Sequence, residues 1–124
     1  MGDEKVKKLN HKKSFDYLNK REKKIIRAFV KELREKFGEN ILSIRLFGSK
    51  VRGDFAKDSD IDVLLVFQVK SVKVRDKVYD ILFGIDPDYE LKISPGIMSL
   101  YEYQKNEELH SPFIENVEKE GIKL

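Results

Sequence analysis

The run Ile61-Asp62-Val63-Leu64-Leu65-Val66-Phe67 is apolar at every position but one and rich in β-branched and aromatic types. Such a run reads as a buried strand. Because alternate side chains of a strand share a face, Asp60 and Asp62, at its mouth, point the same way. At a rise of about 3.3 Å per residue their Cβ atoms lie roughly 6.5 Å apart. Carboxylate oxygens at about 2.1 Å from Mg²⁺ can close that gap onto one or two ions. Two unpaired carboxylates side by side repel, so a cation is their natural partner.

Upstream, Leu42, Ile44 and Leu46 alternate with Ser43, Arg45 and Phe47, the pattern of a first strand that ends at Gly48-Ser49. Gly48 allows a sharp turn and close approach to a ligand. A short helix beginning at Ser49 presents free N–H groups and a hydroxyl to an anion, the usual hold on phosphate. Arg52 and Lys50 add positive charge as further phosphate contacts, and Gly53 ends the turn. Gly48 and Gly53 match the glycines of a P-loop, but Asp54 and Phe55 stand where Lys and Ser/Thr are required, so that reading fails. An EF-hand loop fails too, since neither Asp58 nor Asp60 is followed by its ligand order. A plain solvated turn at Asp58-Ser59-Asp60 is the bland alternative, which the Gly-Ser turn placed upstream weighs against.

The remaining chain alternates. Ile25, Phe29, Leu33 and Phe37 mark an amphipathic helix ending at Gly38, and Val74, Val78, Ile81, Leu82 and Ile85 a second, closed by Asp86-Pro87-Asp88. Tyr89 to Ile93 is expected as a third strand, with Glu90 and Lys92 on one face. Ser99 with Glu102 forms a capping box for a helix through Glu108, and Ser111-Pro112 opens a last helix ending at Gly121. The order of elements predicts an α+β domain of two layers with a small mixed sheet flanked by helices. Tyr101 and Tyr103 read as packing, and His11 and His110 as incidental.

With 124 residues and 40% hydrophobic content the chain supports one domain, placed at 14–124 behind a flexible basic tail at 1–13. No apolar run is long enough for a membrane span and no signal peptide is recognised, so a cytoplasmic protein is expected. Cysteine is absent, which removes thiolate metal sites. Residues 1–36 hold 13 Lys/Arg against 6 Asp/Glu, but helical periodicity makes most of them a solvated face. Nucleic acid is therefore not the expected partner.

Gly-Ser, ten residues, Asp-x-Asp, with Arg52-Gly53 inside the interval, resembles the signature of the DNA polymerase β-like nucleotidyltransferase superfamily. From about Phe29 onward the chain is similar to its minimal nucleotidyltransferases, as are the segments Ile93 to Tyr103 and Ser111 to Ile122. The resemblance implies a nucleoside triphosphate, ATP, as substrate with Mg²⁺. It implies Gly48 and Ser49 as phosphate holders, and Asp60 and Asp62 as metal ligands. Many such proteins are antitoxins beside a HEPN-domain toxin, some transferring AMP to it, and a homo-oligomer is compatible with the resemblance. The superfamily's third carboxylate falls nearest Lys92, which leaves Glu90 as the substitute catalytic and metal-binding residue. The rival expectation is a catalytically degenerate nucleotide-binding module that acts by complex formation.

Overall fold

The computed structural model describes residues 13–53 and 59–124. A first helix α1 (Lys20–Phe37) leads into β1 (Ile41–Phe47), the single-turn helix α2 (Ser49–Arg52) and β2 (Ile61–Phe67). Then follow α3 (Val72–Ile85), β3 (Ile93–Ser99), α4 (Leu100–Glu108), α5 (Pro112–Glu120) and β4 (Ile122–Lys123). The four strands make one mixed sheet in the order β3-β2-β1-β4, antiparallel except for the β2–β3 pair. This is the expected helix-and-sheet architecture. Residues 1–12 of the expected tail, His11 included, and residues 54–58 lie outside the described residues.

Strand alternation on β2 splits the core. Ile61, Val63, Leu65 and Phe67 are fully buried on one face with Ile44 and Leu46 of β1, beneath Phe29 and Leu33 of α1 and Val78 and Leu82 of α3. Leu64 and Val66 point the other way onto Ile114 and Val117 of α5, with Phe47, Met98 and Tyr103 at the margin. A strand covered on both faces has no polar side, which is why its sequence is so uniformly apolar. Burying Phe67 contributes roughly 1.5–3 kcal/mol. Asp62 belongs to the second face and is the strand's single charged member.

Three sequence expectations change. The third strand begins at Ile93, so Tyr89 to Lys92 form the turn leading into it. Asp86 causes this, since its buried carboxylate accepts the Glu90 and Leu91 N–H groups at 3.0 and 3.1 Å and holds the chain away from the sheet. Leu42, expected to alternate inward with Ile44 and Leu46, sits in a bulge between Ile41 and Ser43 and is 42% exposed. β4 was not expected; its two residues pair with Arg45 and Leu46 and cover the outer edge of β1.

The opposite edge of the sheet is β3, and some of its outward groups are occupied. The Ile61 N–H donates to the Lys92 carbonyl, so in a parallel ladder the even-numbered residues of β3 bond to β2 and the odd ones face out. Of those, Pro95 has no N–H, the Ile97 carbonyl accepts from Lys70 Nζ at 3.4 Å, and the Ser99 N–H donates to Glu102 at 2.9 Å. These features interrupt the edge's row of donors and acceptors at Pro95, Ile97 and Ser99.

Candidate functional site

Where β1 ends, the chain turns through Gly48 at φ 87° and ψ −165°, a conformation that side-chain-bearing residues avoid. The turn brings the Gly48 backbone against Asp62, so closely that a Cβ at position 48 would strike the Asp62 carboxylate. Phe47 is the register partner of Asp62 on one side and Ser94 on the other. Within α2 the Val51 and Arg52 N–H groups return to the Gly48 carbonyl, leaving the Ser49 amide and hydroxyl outside that bonding. Gly48, Ser49, Asp60 and Asp62 thus meet at one end of the sheet.

Asp60 is exposed, and Asp62 is half-buried with Gly48 against it. Burial is the main reason the Asp62 carboxyl is pushed above its ordinary range, the Asp60 charge adds to it, and Arg52 partly opposes both. Among the described residues neither carboxylate receives a hydrogen bond or an ion pair. A half-buried acid with a like-charged neighbour and no donors fits a divalent cation as its missing partner. Asp60 and Asp62 are the side chains present to hold one. Among the described residues no three acidic or histidine groups converge at metal-binding distance.

The other expected residues are placed differently. Lys50 is buried and its ammonium meets Glu22 at 2.9 Å. Arg52 reaches Glu120 at 3.4 Å while its charge still acts on Asp62. Glu90 is in the turn before β3, so strand alternation gives no reason for it to share a face with Lys92. Its carboxylate pairs with Arg21 at 2.7 Å, which holds it below the usual carboxylate range. Lys92, on the register of Asp60, adopts φ 52° and leaves the extended path. A cleft of about 190 Å³ lies here, lined by Arg21, Glu22, Lys50, Ser59, Glu90 and Lys92.

Three residues were missed. Glu22 accepts the Asn19 N–H with one oxygen and Lys50 with the other, fixing the start of α1 to the phosphate turn. The Asn19-x-x-Glu22 spacing is a capping-box signal that could have revealed it. Ser94 becomes a neighbour of Asp62 only through the β2–β3 register, and Asp86 shapes the Glu90 turn from inside the core. Tyr103, read as packing, also holds Arg45 at 2.9 Å and Glu118 at 2.6 Å.

A paired-carboxylate site beside a Gly-Ser turn on a mixed sheet defines a nucleotidyl-transfer class of fold and site. The profile of the nucleotidyltransferase domain matches residues 26–124, and the chain belongs to that family. A Methanocaldococcus jannaschii relative, provisionally named protein adenylyltransferase MJ0141, is 33% identical over 101 residues, spanning 81% of this chain and 95% of its own. Protein adenylyltransferase MntA of Thermococcus cleftensis is 37% identical over 75 residues, 56% of this chain and 73% of its own. A Sulfolobus solfataricus crystal structure, provisionally titled a nucleotidyltransferase, shares the fold at a TM-score of 0.50 and 21% identity, covering 81% of this chain and 76% of that one.

Proposed function

We propose that the protein transfers AMP from ATP, with Mg²⁺, to a hydroxyl of a partner protein in the cytoplasm. The observation that supports this reading is the close approach of the Gly48 backbone to the Asp62 carboxylate, with Ser49 and Asp60 adjoining. The names of the curated relatives support a protein acceptor, and resemblance to minimal nucleotidyltransferases suggests a HEPN-type toxin as that acceptor and an antitoxin role for this chain.

In this reading Ser49 and the Gly48 backbone take the β and γ phosphates, with Lys50 and Arg52 adding positive charge around them. Asp60 and Asp62 would hold the metal, and Glu90 would add a third carboxylate only on release from Arg21. A bound divalent cation would neutralise phosphate charge and template an in-line displacement. The acceptor hydroxyl attacks the α-phosphorus, the bond to the bridging oxygen breaks, pyrophosphate leaves, and the hydroxyl proton passes to solvent. In-line geometry places the acceptor opposite the pyrophosphate. With phosphates at the β1 end, the acceptor enters over the Tyr89–Lys92 turn.

Intact-mass spectrometry of the chain mixed with ATP, Mg²⁺ and its genomic neighbour tests this, with a partner heavier by one AMP residue as the expected result. Glu90→Gln should slow transfer about tenfold or more with little change in ATP affinity. A second reading, a nucleotide-binding module that acts by complex formation, is favoured by Lys92 on the register of Asp60. Tight complex formation without any adduct would establish it instead.

A further inference from the structure

The outer surface of α3 carries an apolar stripe that the fold leaves uncovered. At about 100° per residue, Val74, Val78, Ile81, Leu82 and Ile85 fall on the inward sector and join the core. Val72, Asp76 and Phe83 fall on the outward one, with Tyr79 at its border, half-buried against the core. Val72 is 75% exposed and Phe83 48%, with the Tyr79 and Phe83 rings stacked 6.1 Å apart. Beside the stripe a cavity of about 350 Å³ opens between α3 and β3, lined by Val72, Arg75, Tyr79, Pro95 and Ile97. The adjoining β3 edge is interrupted at Pro95, Ile97 and Ser99, which disfavours strand addition and leaves side-chain packing on α3 as the available contact.

We propose that this face binds a second copy of the chain through an antiparallel α3–α3 contact. The charge pattern selects that occupant. In an antiparallel two-fold pair each flank of a helix meets the same flank of its counterpart. With the axis near Lys77, Val72 opposes Phe83 of the second copy, Lys73 opposes its Asp80, and Arg75 opposes the ring of its Tyr79. Each contact occurs twice, and apolar meets apolar while cation meets anion or aromatic ring. Asp76, nearest the axis, opposes its counterpart and weakens the association. One helix surface is therefore its own complement, apart from one position.

Sedimentation velocity across a micromolar concentration range tests this, with a reversible dimer as the expected result. Phe83→Glu and Val72→Glu should each weaken dimerisation roughly tenfold or more. Both positions are exposed, and matched melting curves will confirm that the variants fold. Lys73→Glu and Asp80→Lys should each weaken it, their combination in one chain should restore it, and Asp76→Asn should strengthen it. A chain that stays monomeric throughout, or a dimer indifferent to these substitutions, overturns the proposal. Sedimentation reads association alone, so neither result bears on nucleotide transfer.

Discussion

Replacing Asp62 by Asn should stabilise the metal-free protein near neutral pH. The wild type holds a half-buried charge that no hydrogen bond from the described residues supports, with Asp60 about 6.5 Å away on the same strand face. Two charges at that separation repel by about 0.6 kcal/mol in water and about 2.5 kcal/mol at an effective dielectric constant of 20. Asp60 is exposed, so the lower half of that range applies, and the Arg52 attraction lost on substitution reduces it further. The net gain is about 1 kcal/mol, or roughly 3–4 °C in melting temperature for a domain of this size. The folded carboxyl releases its proton at higher pH than the unfolded one. Its contribution is fully present below the unfolded value near 4 and is lost as pH rises through the raised native value. The advantage of the variant should accordingly vanish in acid and reach its plateau towards neutrality. Added Mg²⁺ should raise the melting temperature of the wild type and leave the variant unchanged. Differential scanning fluorimetry over a pH series reads both effects. A variant less stable than wild type at neutral pH, or an advantage that persists in acid, would refute the repulsion argument.

Gly48→Ala should weaken ATP binding by calorimetry, because its Cβ displaces the Asp62 carboxylate, and should destabilise the fold by about 1–3 kcal/mol of backbone strain. Glu22→Gln keeps a residue able to close the capping box but removes the carboxylate charge that the buried Lys50 ammonium meets. It should cost about 2–3 kcal/mol in urea denaturation, with Lys50→Met restoring part of the loss. Burial and the bond to Glu118 push the Tyr103 phenol up to about 12, so ultraviolet titration should show one tyrosine ionising well after the ordinary range. Stability owed to that protonated phenol is present below the unfolded value near 10 and is lost as pH climbs through the native one.

Much of this architecture is legible along the chain because local signals carry it. The Ile61–Phe67 run, the Ser99 and Ser111 caps and the Gly38 and Gly121 stops each fix an element from a few neighbouring residues. Gly48, Ser49, Asp60 and Asp62 were readable for the same reason, as one turn and one strand mouth. What the sequence concealed depends on distant partners. The third strand was misplaced because the Asp86 carboxylate captures Glu90 and Leu91, a contact no periodicity records. That Lys50 pairs with Glu22 was hidden because the two are 28 residues apart. Ser94 meets Asp62 only once two strands are in register.

Glu22 also bears on where the protein can be cut. The family profile begins at residue 26, after both Asn19 and Glu22. A fragment trimmed to that boundary would lose the cap of α1 and the Glu22 carboxylate that the buried Lys50 ammonium meets, next to the Gly48-Ser49 turn. The loss would fall on the Gly48-Ser49 end of the sheet, though every residue with a proposed role there would still be present. The smallest piece that preserves the turn therefore starts ahead of Asn19.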